Sequence, residues 1–201
     1  MKRILTIALS ILCLASCLSF CACGGGATFE RGSKADSSYT NQSMNFVFNK
    51  PTGWVFYTDE QLAELMDVAK DMVNDKELLE KTDVSSIYEF MAVDNKTGNN
   101  VNMTVEKISS LNSLDSYIKN LKEQLPGQLT GFTVTFEDDM PEVTLGGSTF
   151  VRLTAHLSAS GASMDQYYYF CKVGTKLVGV IATDVSGLTC QAFEDMFTKA
   201  E

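Results

Sequence analysis

His156 is the single histidine of the chain, and a Ser–His–carboxylate triad would have to use it. It stands in Arg152-Leu153-Thr154-Ala155-His156-Leu157, a stretch that alternates like a strand, and no Gly-x-Ser-x-Gly elbow occurs to present a nucleophile. A surface histidine, or one satisfied within the core, is the simpler reading. Zinc lacks donors, because Cys13, Cys17, Cys21 and Cys23 crowd the N-terminus and leave only Cys171 and Cys190. Asp94-Asn95-Lys96-Thr97-Gly98-Asn99-Asn100 invites calcium. A helix–loop–helix calcium loop needs glycine sixth and glutamate twelfth, whereas here glycine is fifth and Val105 twelfth, so a polar hairpin turn is expected. Glu137-Asp138-Asp139 with Glu142 reads as solvated loop charge, and no carboxylate pair stands out for glycoside hydrolysis. No catalytic, cofactor-binding or metal-ligating residue is assigned, and the expected activity is not enzymatic.

Cys171 and Cys190 could form a disulfide in an exported protein, although two buried free thiols fit their apolar surroundings better. Trp54 and the Tyr167–Tyr169 run are the best candidates for a recognition surface. Core packing explains Trp54 more simply.

The elements that would position these residues begin at Met44. Phe46 and Phe48 alternate with polar neighbours, and Lys50-Pro51-Thr52-Gly53 turns the chain into Trp54–Tyr57. Thr58 and Gln61 have the spacing of a capping box, and Leu62, Leu65, Met66, Ala69, Met72 and Val73 predict a helix over 59–73. A hairpin is expected from 87–94 and 100–108. A second helix is expected near 113–125, stopped by Pro126-Gly127. Short strands follow at 132–137 and 143–145, then long ones at 149–158, 164–173 and 176–183. A helix at 190–200, capped by Thr189, closes the chain. Tyr167, Tyr169 and Cys171 point one way and Tyr168 and Phe170 the other, while Leu177–Ala182 is apolar on both sides. Strands with two apolar faces need cover above and below, so the expected architecture is α+β: a mainly antiparallel sheet with helices on both faces.

With 201 residues, 45% of them hydrophobic, there is enough for one domain plus an appendage. A formal charge of −9, from 16 basic and 25 acidic residues, disfavours nucleic acid as a partner. The appendage is N-terminal. Lys2 and Arg3 precede an apolar run from Ile4 to Phe20, which ends in Cys21-Ala22-Cys23-Gly24-Gly25-Gly26. This is the layout of a secretory signal rather than of a permanent membrane helix, which usually stops at aromatic or basic flanks.

That ending resembles the lipobox of bacterial lipoproteins, in which a small residue precedes a cysteine that becomes linked to diacylglycerol and is then the first residue of the mature chain. Ser19-Phe20-Cys21-Ala22-Cys23 carries the match, with Phe20 where the family prefers leucine. Leu14-Ala15-Ser16-Cys17 is a rival, but Cys17 would leave Leu18, Ser19 and Phe20 at the membrane surface, so Cys23 is favoured as the lipidated residue. The resemblance implies a signal peptide over 1–22, a diacyl anchor on the outer face of the bacterial cytoplasmic membrane, and a formal charge lowered from −9 to −11 by loss of Lys2 and Arg3. Residues 23–43 then read as the lipidated cysteine and a flexible linker. Its last 20 residues would reach about 25 Å r.m.s..

Residues 44–201 read as one domain. Phe46-Val47-Phe48-Asn49-Lys50-Pro51-Thr52-Gly53-Trp54, with the long hairpin and terminal helix, resembles the PsbP-like fold, which includes the DcrB lipoproteins. That resemblance implies an α/β/α sandwich whose members mostly bind or scaffold, with no shared active site to carry over. The expectation is therefore a membrane-anchored binding or scaffolding module for a protein or cell-envelope component. A small-molecule-binding component associated with a transporter is the alternative, and an enzyme acting on the cell wall a weaker one.

Overall fold

The structure is a computed structural model, and it describes residues 29–68, 72–75, 86–108 and 113–201. The expected signal peptide and Cys23 lie outside the described residues. Twelve strands form two sheets among them. The smaller contains β1 (Ser33–Lys34), β2 (Ser38–Asn41), β3 (Phe46–Asn49) and β12 (Phe197–Lys199), in that spatial order. The larger runs β4 (Val55–Phe56), β5 (Ser86–Val93), β6 (Asn100–Lys107), β11 (Lys176–Asp184), β10 (Ala162–Val173), β9 (Ser148–Ala159) and β7 (Thr133–Phe136), with β8 (Glu142–Leu145) also paired to β9. Every pairing is antiparallel.

The expected helices on both faces are not found. One face of the large sheet is covered by the small sheet and the other by helices, giving a sheet/sheet/helix stack. Tyr39, Phe46 and Phe48 of the small sheet meet Phe90, Met103, Phe150, Tyr169 and Val180 of the large one. The Phe48 and Phe90 rings stack with centroids 4.7 Å apart. Each such buried phenylalanine contributes roughly 1.5–3 kcal/mol. The aromatic alternation around Phe46 therefore marks a sheet that needs a second sheet above it. On the opposite face, α1 (Asp59–Met66) sets Leu62 and Met66 against Ile87, Met91 and Val93. Beside it α2 (Leu114–Gln128) sets Ile118, Leu121 and Leu125 against Leu153, Leu157, Tyr168 and Ile181.

Four local expectations are corrected. Residues 24–43 are not all linker: β1 and β2 lie within them, and the Tyr39 ring is buried in the sandwich because it fills space beside Phe90. The first helix starts at the Thr58–Gln61 capping box but ends at Met66, where Asp67 takes the left-handed conformation with φ 53°. Pro126 does not stop α2, which continues to Gln128, because a proline in the last turn removes a single bond there. The terminal helix is only α3 (Cys190–Glu194), capped by Thr189, before the chain straightens into β12. Pairing with the open edge of β3 and burial of Phe197 against Phe46 outweigh the helical spacing of Phe193, Met196, Phe197 and Ala200. The β8–β9 turn locks the sandwich at one end: a Cβ on Gly146 (φ +60°) would stand 2.4 Å from the Phe46 Cβ and 2.5 Å from the Thr198 carbonyl oxygen.

Candidate functional site

Strand β6 alternates, and both of its sides are inside the protein. Val101, Met103 and Val105 face the small sheet. Asn100, Asn102, Thr104 and Glu106 face the helical layer, where they are 0%, 4%, 5% and 6% exposed. This polar row runs between the apolar contacts under α1 and those under α2. Register places Asn102 between Met91 and Ile181, Thr104 between Tyr88 and Gly179, and Glu106 between Ser86 and Leu177.

Two hydroxyls reach Glu106. Ser86 Oγ donates to Oε1 at 3.0 Å, and the Tyr117 phenol lies 3.2 Å from each carboxylate oxygen. Burial outweighs both and pushes the Glu106 carboxyl up to about 7, and burial followed by the charge of Glu106 raises the Tyr117 phenol too. Farther along, Asn100 Nδ2 donates to the Gly98 carbonyl at 3.3 Å and Gln166 Nε2 to Thr183 Oγ1 at 3.3 Å. The carboxamide oxygens of Asn100 and Asn102 accept no hydrogen bond. Leaving a buried acceptor unsatisfied costs about 1–3 kcal/mol, so this row is set up to receive donors. Nothing in the sequence reading singled it out. The signal was there, in polar residues at 100, 102, 104 and 106 alternating with Val101, Met103 and Val105, but such alternation reads as a strand with one side in water.

The residues expected to bear on chemistry lie elsewhere and apart. His156 is half exposed on β9, with Nδ1 2.7 Å from Asp165 Oδ1 and Nε2 3.5 Å from Glu137 Oε1. The Asp165 hydrogen bond raises its pKa above the ordinary value. Asp94 accepts from the Lys96 N–H at 2.9 Å and Thr97 Oγ1 at 2.8 Å, so the acidic loop is a turn that satisfies itself, and those bonds lower the Asp94 pKa. Among the described residues no group of three or more His, Cys, Asp or Glu side chains is arranged to hold a metal ion. Trp54 belongs to the sandwich core, and Tyr167, Tyr168 and Tyr169 are buried, so neither forms an open aromatic surface.

Cys171 and Cys190 are free thiols, both half-buried at the edge of the sandwich core. Burial pushes the Cys171 thiol up to about 12. Cys190 Sγ accepts from Arg152 Nη1 at 3.1 Å, and the same guanidinium nitrogen lies 2.7 Å from Glu194 Oε1. A second ion pair ties the N-terminal strands down: Arg31 Nε donates to Glu89 Oε1 at 2.6 Å, while Tyr39 donates to Glu89 Oε2 at 2.7 Å. Glu89 sits at the register shift between Tyr88 and Phe90 of β5.

Among the described residues no helix is long and apolar enough to cross a membrane. No family description matches the chain, and no curated protein does. Among solved structures, it is similar to a 1.50 Å crystal structure from Bacteroides thetaiotaomicron VPI-5482, with 13% identity and a TM-score of 0.42. The match covers 78% of this chain and 46% of that one, so the chain spans just under half the length of that protein.

Proposed function

We propose that this chain is an extracytoplasmic lipoprotein, anchored to the outer face of a bacterial cytoplasmic membrane through a diacylglycerol-modified Cys23, whose folded domain is a non-enzymatic binding module for a protein or cell-envelope component. One observation carries the proposal: Lys2-Arg3, the apolar run Ile4–Phe20 and Cys23 before three glycines. The fold changes the physical picture of the anchor. Phe29 already packs on the sandwich core, so Cys23 and Phe29 are six residues apart in sequence. Even fully extended they lie within about 20 Å of each other. The domain would ride close to the lipid surface rather than on a long stalk. Intact mass of the membrane-extracted protein tests this. A chain starting at Cys23 and carrying acyl chains is expected, and Cys23→Ser should release the protein from the membrane fraction. An unmodified N-terminus, or a Cys23→Ser protein still fully membrane-bound, would refute the anchor.

A second reading, a small-molecule-binding component serving a transporter, is favoured by the acceptors buried along β6. Calorimetric titration of the purified protein with a metabolite panel distinguishes it from protein-only recognition.

A further inference from the structure

We propose that the domain lies against its own membrane through one end of the sandwich, the end where the chain enters at Phe29, and that Lys199, Lys107, Lys172 and Lys176 meet anionic lipid headgroups there. The inference rests on the Cys23 anchor proposed above and names the face that the anchor turns toward the lipid.

Hydrogen bonds fix the entry point. The Glu30 N–H donates to Ser43 Oγ at 3.1 Å, and the Glu30 carbonyl accepts from Asn41 Nδ2 at 3.0 Å, so the chain enters beside the β2–β3 turn. Two other segments close on that turn. Ser148 Oγ donates to the Met44 carbonyl, and the Ala200 N–H donates to the Asn45 carbonyl at 3.3 Å. The β2–β3 turn, the β8–β9 turn and the last residues therefore share one end with Phe29.

Register carries this end across the large sheet. Phe170 faces Val151, so three residues on Val173 comes level with Ser148. Val173 in turn faces Lys176, and Lys176 faces Lys107. With strands about 4.8 Å apart, Lys176 is roughly 10 Å and Lys107 roughly 15 Å from β9. Lys172 stands next to Val173 on β10, and Lys199 pairs with Phe46 on the small sheet.

Charge favours this end. Besides buried Glu106, the acids near these lysines are Glu30, Glu201 and, in the helical layer, Asp115 of α2. The opposite end of the large sheet carries Asp94, Asp165 and Asp184 with Lys96. An anionic surface attracts the first end and repels the second. Cys23 lies within about 20 Å of Phe29, so the tether holds the domain at a high effective concentration and a weak attraction is enough to orient it. Lys107, Lys172 and Lys176 also interact within the chain, whereas Lys199 is exposed at the end of β12, so Lys199 contributes most.

The test is amine footprinting of the membrane-extracted protein in nanodiscs, with sulfosuccinimidyl acetate as the probe and peptide mass mapping as the readout. Discs of phosphatidylcholine with phosphatidylglycerol are compared with discs of phosphatidylcholine alone and with the protein in a non-ionic detergent. In the anionic discs the four lysines should acetylate at least about threefold more slowly than in detergent, Lys199 most of all, while Lys96 keeps its rate. Neutral discs, or salt added to the anionic ones, should recover about half of that slowing or more. Thr175→Glu, at the exposed tip between Lys172 and Lys176, should reduce the slowing of both. Lys199→Glu should reduce it at the other three lysines, which keeps the test open should the first variant fold poorly. Equal slowing of Lys96 and Lys199, unchanged rates in the anionic discs, or identical slowing in neutral ones would overturn the proposal. Intact mass reads the anchor separately. A chain without acyl groups that stays out of the discs removes the anchor and this face with it, whereas an acylated chain labelled as in detergent removes the face alone.

Discussion

Tyr117 of α2 places its hydroxyl 3.2 Å from both carboxylate oxygens of Glu106 on β6, joining the helical layer to the large sheet through a buried acid. The pair makes the fold sensitive to pH. Folded Glu106 keeps its proton up to about 7, against an ordinary value of 4.5. Between these values the folded state binds more protons than the unfolded one, so raising the pH removes stability, and the loss is complete above the folded value. A shift of this size corresponds to an effect on the order of 3 kcal/mol. Urea midpoints measured from pH 5 to 8 should fall for the native protein and stay nearly flat for Glu106→Gln.

The N-terminal strands depend on one buried pair. Glu89 accepts from Arg31, Tyr39 and the Gly32 N–H, so removing the guanidinium leaves a buried carboxylate without its cation. Arg31→Ala should cost about 3 kcal/mol or more in urea unfolding, the range for breaking such a pair. Limited proteolysis should then cut first within residues 29–41.

His156 shifts stability with pH in the same sense as Glu106. Its pKa is raised, first by the Asp165 hydrogen bond, so whatever stability it adds is present below the unfolded value and lost as the pH rises through the folded one. The group is half exposed, and the effect on stability should stay under about 1 kcal/mol. The clear readout is its NMR titration, which should move toward lower pH in Asp165→Asn.

Thiol labelling should separate the two cysteines. Burial holds the Cys171 thiol at about 12, far from the thiolate form at neutral pH, whereas Cys190 lies at the start of α3 beside the Arg152 guanidinium. Native protein treated with a maleimide at pH 7 should be modified at Cys190 before Cys171. Peptide mass mapping checks the order, and a protein that accepts no label until reduced would instead contain a disulfide.

Local patterns carried far into the structure where neighbours in sequence decide the outcome. The Thr58–Gln61 box, the turn at Asp94 and the opposed faces of Tyr167–Cys171 all form as their spacing dictates. Distant partners decided the rest. Phe197-Thr198-Lys199 has helical spacing but meets a strand edge 150 residues earlier in the chain. Ser38–Asn41 is polar enough to pass for linker, yet Tyr39 and Asn41 are buried once Glu89 and Phe90 are beside them. The polar side of β6 was hidden for the same reason: alternation shows that two sides differ, and burial of both becomes visible only when the helices are placed.

Because β12 (Phe197–Lys199) pairs with β3, the smaller sheet cannot close before that segment has been made. Until Phe197 arrives to sit 5.4 Å from the Phe46 ring and 5.3 Å from that of Phe48, β3 has an unpaired edge and each of those rings lacks one neighbour. Trimming five residues from the tail should leave a sticky product that self-associates through that border.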